Sequence, residues 1–73
     1  MGLVRILIQP PYVGDSPDQI ASQAFNILSE VASISFVGAG GTVNDRPFVL
    51  VDSAEVTEAL AVLGKAGMRG VAG

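Results

Sequence analysis

The chain has 73 residues, of which 49% are hydrophobic and 15% charged, with a net charge of −3 and neither cysteine nor histidine. This length allows one domain at most, and the missing residue types exclude disulfides, Cys or His metal ligands and the usual nucleophile–base pairs. A domain this small and apolar is marginal alone, so we expect a homo-oligomer, with a dimer as its simplest form.

Partners that need a basic or long apolar surface are not expected. The four basic residues are scattered along the chain: Arg5, Arg46, Lys65 and Arg69. Because nucleic-acid binding needs a basic stripe, this pattern argues against it. No apolar run approaches the roughly 18 residues of a membrane span, and Pro10 and Pro11 interrupt the first apolar run too early for a signal peptide. We therefore expect a cytoplasmic protein without nucleic acid or membrane as partner, and Met1 directly before the first strand indicates a natural start.

The first apolar run, "LVRILIQ" at residues 3–9, predicts a largely buried strand. Alternation places Val4, Ile6 and Ile8 on one face and Arg5 on the other, beside two leucines.

A first helix is predicted over residues 17–31. Ser16 is a good N-cap, Pro17 suits the first helical position, and Gln19 completes a capping box. Asp18 lies in the first turn, where the helix dipole favours a negative charge. The apolar residues that recur at helical spacing are Ile20, Ala24, Ile27, Leu28 and Val31.

The alternation in "SISFV", residues 33–37, predicts a second strand with Ile34 and Phe36 directed inward. The segment "RPFVLVD" predicts a third strand over about residues 48–51.

A second helix is predicted over residues 54–68, capped by Asp52 and Ser53. A short fourth strand is expected within residues 68–72. The buried stripe of the second helix is predicted to contain Val56, Ala59, Leu60 and Leu63.

The order β-α-β-β-α-β predicts an α+β protein of the ferredoxin-like class, with a four-stranded antiparallel sheet and both helices on one face. Right-handed crossovers would place the first and third strands in the centre of the sheet.

Three glycines follow the second predicted strand: Gly38, Gly40 and Gly41. A dinucleotide site would require a helix directly after them, but a strand follows, Val43 stands where the third motif glycine belongs, and Pro47 would break the helix. We therefore expect a hairpin, with glycines supplying positive φ and Asn44 and Asp45 making the turn. A bulged edge strand, or close approach by a ligand or partner backbone, remains the alternative.

The loop "PPYVGDSP", residues 10–17, is the other candidate site. The helix start that follows it offers free N–H groups to an anion such as a carboxylate, and Gly14 allows close backbone approach. The alternative is that the loop only turns the chain and caps the helix. The pair Glu55 and Glu58 is expected to form a solvated face, and no catalytic residue, cofactor or metal is predicted.

The chain resembles an ACT-type domain, a small regulatory module. The resemblance covers nearly the whole chain through "VRILI", "GDSPDQIA", "ILSEVASISFVGAGG" and "RPFVLVDSAEVTEALAVLGKAGMRGV". It implies side-by-side pairing through the first helix and second strand, with an amino acid or similar metabolite at the subunit interface. The contacting residues it implies are Val13, Gly14, Asp15 and Ser16, together with Ser35, Phe36 and Val37.

Two other functions remain open. The chain can be a structural or protein-interaction module that binds no ligand. It can also be a small oligomeric ferredoxin-like enzyme with a carboxylate or backbone site between subunits, although a non-enzymatic role is the expectation.

Overall fold

The computed structural model describes residues 2–10 and 16–72. In chain order the elements are β1 (Leu3–Ile8), α1 (Pro17–Ser29), β2 (Val37–Val43), β3 (Arg46–Asp52), a single 3₁₀ turn (Ser53–Glu55), α2 (Val56–Lys65) and β4 (Gly70–Ala72). Over the described residues, neither helix has the length and hydrophobicity that a membrane crossing requires.

The strands form one antiparallel sheet in the order β2-β3-β1-β4. The two central strands pair from Leu3 opposite Asp52 to Leu7 opposite Phe48. The protein is therefore of the α+β class, and the prediction that the first and third strands are central is confirmed. Both central strands alternate between buried and more exposed residues, as expected for a sheet with one covered face.

One hydrophobic core joins the sheet to both helices. The central strands, α1, α2 and the segment that follows α1 all contribute to it. The strand members are Ile6, Ile8, Val49 and Val51, and the others are Ile20, Ala24, Leu28, Ile34, Ala59 and Leu63. Because these strand residues share one face and both helices contribute to the same cluster, the helices cover one side of the sheet. Full burial of each large aliphatic side chain stabilises the fold by about 1.5–3 kcal/mol.

The capping box at the start of α1 is confirmed. The backbone N–H of Gln19 donates to Ser16 Oγ at 3.4 Å, and the Ser16 N–H donates to Gln19 Oε1 at 3.1 Å. The helix ends at Ser29, two residues before its predicted end. Beyond it, the Val31 N–H bonds back to the Leu28 carbonyl at 3.1 Å, which turns the chain out of the helix.

The prediction of a second strand at residues 33–37 was wrong. Val37 begins β2 and pairs with Val51, so the preceding residue already lies level with the last residue of β3. Residues 33–35 therefore have no strand opposite them. Ile34 is buried as expected, but Phe36 is 45% exposed, and its predicted inward direction was wrong.

The glycines lie within β2 and not at the tip of the hairpin. The turn consists of Asn44 and Asp45, as predicted, with φ of 52° and 63°, which suits a two-residue turn of type I′. None of the three cluster glycines is among the residues with positive φ, so that part of the prediction was wrong. The pairing with β3 shifts register between Gly38 and Gly41, and β2 is a bulged edge strand.

The second helix begins later than predicted. Asp52 accepts a hydrogen bond from the Ala54 N–H at 2.9 Å and so caps the 3₁₀ turn, after which α2 begins at Val56. Of the predicted stripe, Ala59 and Leu63 are fully buried and the other two residues are half-buried.

Candidate functional site

An open cleft of about 350 Å³ lies between α1 and the edge strand β2. Its lining residues come from one face of the helix and from the glycine cluster: Asp18, Ala21, Ser22, Phe25, Asn26, Gly40 and Gly41.

The helical wall of the cleft has a polar row beside an apolar one. Asp18, Ser22 and Asn26 are spaced four residues apart, so they lie above one another along the exposed side of α1. Ala21 is buried and Phe25 packs against the core, so they form the deeper side. The wall therefore offers a carboxylate, a hydroxyl and an amide next to an apolar surface.

The opposite wall is backbone, because the residues there are glycines. A Cβ atom built on Gly40 would lie 1.8 Å from the carbonyl oxygen of Phe48, so β2 approaches β3 at a distance that only glycine allows. Within the described sheet β2 has only β3 as a neighbour. The outward side of an edge strand presents N–H and C=O groups without a strand partner, which suits a ligand or another strand.

The groups that line the cleft include one acidic side chain and the backbone of two glycines. A carboxylate at Asp18 can accept hydrogen bonds from an ammonium group, and backbone N–H groups of β2 can donate to a carboxylate. Among the described residues, no basic side chain lines the cleft. The described part of the chain contains no cluster of three Asp or Glu residues that could hold a metal ion.

Most of the predicted ligand residues of the first loop lie outside the residues that the structure describes. Val13, Gly14 and Asp15 fall within residues 11–15, which the structure does not describe. Ser16 is the N-cap of α1, and its hydroxyl accepts the hydrogen bond from Gln19.

The three predicted ligand residues at or just before the start of β2 lie in different environments. Ser35 donates from its backbone N–H and its hydroxyl to the Glu55 carboxylate, at 3.0–3.2 Å. The ring of Phe36 lies beside Gly38, and Val37 packs against the core. None of the three is among the residues that line the cleft.

Two features of this region were missed from the sequence. The polar row of α1 could have been found from its spacing of four residues beside an apolar stripe. Glu58 is exposed, as expected of a solvated face, and Glu55 is half-buried; in addition, the two carboxylates accept hydrogen bonds from the Ser33 hydroxyl and from Ser35. These bonds hold the segment before β2 against the start of α2, and no local pattern indicates them.

The fold and the cleft together define a small α+β protein with an open cleft between α1 and the edge of its sheet. The chain matches no model of a known protein family, no curated protein and no solved structure.

Proposed function

We propose that the chain is an ACT-like regulatory module of ferredoxin-like topology that binds an amino acid or a similar small metabolite in the cleft between α1 and β2. The binding site lies at the interface of a homodimer, and ligand binding changes the stability or geometry of that interface. The protein acts by binding and has no catalytic role.

The fold supports this proposal in two respects. β1 and β3 occupy the centre of the sheet, as the crossovers of a βαββαβ chain require. The two helices share one core with one face of the sheet.

The observation that carries the proposal is the cleft itself. Asp18 suits the ammonium group of an amino acid, the backbone of β2 at Gly40 suits its carboxylate, and the apolar side near Phe25 suits an aliphatic side chain. A volume of about 350 Å³ lies at the lower end of the roughly 300–1,000 Å³ typical of ligand pockets, which favours a small ligand.

The position of the cleft supports binding at a subunit interface. The cleft opens at the edge strand β2, where a second copy can add its own β2 and extend the sheet. The second subunit would then cover the cleft and exclude water from the ligand. A ligand enclosed in this way stabilises the dimer by mass action.

A thermal-shift screen against amino acids, with Ser22→Phe as the test variant, examines this proposal. Ser22 is exposed on the cleft wall, so a phenyl ring there occupies the site without entering the core. We expect one amino acid to stabilise the wild type by about 2.7 kcal/mol at a concentration of 100 times Kd, and Ser22→Phe to lose this effect. The matched control is Ala61→Phe on the exposed side of α2, which should keep it.

Other outcomes would contradict the proposal. Equal stabilisation of both variants would place the ligand elsewhere, and stabilisation by a nucleotide would overturn the interpretation of the glycine cluster. Stabilisation by no compound, with the oligomer intact, would favour a structural or interaction module. Turnover of a substrate that is lost in Asp45→Asn would favour the enzyme alternative.

The interaction-module alternative has one observation in its favour, an apolar surface on the other side of the sheet. Leu3, Phe36 and Val71 are 57%, 45% and 45% exposed, and such clusters mark protein-interaction sites.

A further inference from the structure

The side of the sheet that faces away from both helices, here called the outer face, is largely apolar. Its apolar residues are Leu3, Leu7, Phe36, Phe48, Leu50 and Val71. Leu7 lies opposite Phe48 on one side and Val71 on the other, so the three side chains share this face. A shallow groove of about 500 Å³ runs between β1 and β3 on the same side.

The second strand extends this apolar surface. A Cβ atom built on Gly38 would lie 3.1 Å from the Leu50 Cβ and 3.3 Å from a ring carbon of Phe36. Gly38 therefore leaves room for the Phe36 ring to lie against Leu50. The three large apolar side chains reported as exposed among the described residues all belong to the outer face.

Charged residues of the outer face lie on both central strands: Arg5 on β1, opposite Leu50, and one residue at each end of β3. In β3, every second residue is buried, and the residues between them lie on the outer face. These outer residues are Arg46, Phe48, Leu50 and Asp52. The apolar pair thus has a positive residue at one end and a negative residue at the other. On β1, the guanidinium of Arg5 lies over the Phe48 ring, 5.7 Å from its centroid.

We propose that the outer face binds a second copy of this chain, sheet against sheet, with the two β3 strands antiparallel. A two-fold axis level with Val49 then places Arg46 opposite Asp52 of the partner subunit, and the reciprocal pair forms at the other end. The same axis places Phe48 over Leu50 of the partner subunit. The alternative two-fold axis, parallel to the strands, would place the like charges of β3 opposite one another and is disfavoured, whereas the proposed axis brings only Arg5 of β1 near its own copy.

The dimensions of the chain set an upper limit on the size of the outer face. The two longer dimensions of the whole chain are 31 and 22 Å, so the face is no larger than about 680 Å². A standard protein–protein interface buries roughly 800 Å² per partner, and packed sheets lie about 10 Å apart with their side chains interdigitated. The outer face is therefore smaller than a standard interface, and we expect a weak dimer that forms at micromolar or higher concentration.

This interface does not depend on the proposed function. The cleft between α1 and β2 lies on the helix-covered side and at the edge of the sheet, whereas the outer face is the opposite side. Loss of one interface therefore leaves the other available, and both together would give a tetramer.

A charge-swap experiment tests the proposal by sedimentation equilibrium. Arg46→Asp alone places two carboxylates opposite one another at each end of the interface. Asp52→Arg alone places two guanidinium groups there and also removes the cap of the 3₁₀ turn, so its association is compared at a temperature where it is fully folded. We expect each variant to dissociate about tenfold more readily than the wild type at low salt. An equimolar mixture of the two variants restores both opposite-charge pairs, so it should associate about as tightly as the wild type.

A second pair of variants tests the apolar centre. Leu50→Lys places a second positive charge beside Arg5 in the middle of the outer face and should abolish this association, whereas Ala61→Lys on the exposed side of α2 should leave it unchanged. Circular dichroism checks that each variant is folded; if Leu50→Lys does not fold, the charge-swap mixture still decides.

Three results would overturn the proposal: a wild type that stays monomeric at high micromolar concentration, a mixture that associates no better than its components, or an association unaffected by a folded Leu50→Lys. If Ser22→Phe abolishes ligand binding while the charge-swap mixture restores association, the cleft and the outer face are separate sites. Loss of ligand binding has no bearing on the outer face, and a failed charge swap has none on the cleft.

Discussion

At the scale of single residues, Gly40 is the position where the backbone leaves least space. Its missing Cβ would overlap the Phe48 carbonyl, whereas a Cβ on Gly41 would meet nothing within 4 Å. We expect Gly40→Ala to lower the free energy of unfolding by about 1–3 kcal/mol, because the edge strand must move away from β3. Urea denaturation measures the change.

Gly41→Ala is the matched control for this prediction. Gly41 is not among the residues with positive φ, so alanine brings neither overlap nor backbone strain. We expect it to be neutral or slightly stabilising. Equal destabilisation by the two substitutions would show that the close approach to Phe48 does not account for the effect.

At the scale of elements, the start of α1 depends on its capping box. Ser16→Ala removes the acceptor of the Gln19 N–H, so we expect a loss of about 1 kcal/mol of unfolding free energy in thermal or urea unfolding. Ser16→Asp keeps an acceptor at the same place and should retain most of that stability. If Ser16→Asp is destabilised as much as Ser16→Ala, the cap does not account for the effect of the alanine variant.

The residues that determine α1 lie within the helix itself, whereas those that determine β2 lie on another strand. Helix capping and apolar spacing lie within about 15 residues of one another, so α1 is predictable from its own sequence. β2 is set by its partner, since Val37 is level with Val51 and the bulge accommodates the Phe48 carbonyl. The alternation in "SISFV" favoured a strand from residue 33 onward, but no strand lies opposite residues 33–35.

At the scale of the whole molecule, stability should depend on protein concentration. A 73-residue domain is marginal, and association of folded chains stabilises them by mass action. We expect the Tm of the wild type to rise with concentration over a hundredfold dilution series, and that of Leu50→Lys to rise less because it retains only the edge pairing. Scanning calorimetry measures both.

A concentration-independent Tm for the wild type would contradict this expectation. It would mean that the core formed by the two helices and one face of the sheet is sufficient for the observed stability. The large apolar side chains of the outer face would then be exposed to water in the working protein.

The sequence by itself determined the class of the fold, the order of the elements, the capping of α1 and the turn at Asn44 and Asp45. These follow from local propensities and from apolar periodicity, both of which act over a few residues. The sequence also showed a high share of hydrophobic residues for so short a chain, and the expectation of an oligomer rests on that share. Its expected ligand residues at Ser16, Ser35, Phe36 and Val37 remain a prediction.

Only the tertiary structure decided where β2 runs, that its glycines form a bulge beside α1, and that Asp18, Ser22 and Asn26 line a cleft with them. It also decided that the outer face carries the charges of Arg46 and Asp52 at opposite ends of an apolar surface. The physical reason is that strand register and the faces of a sheet depend on pairing between residues distant in the chain. A short sequence window contains no information about that pairing.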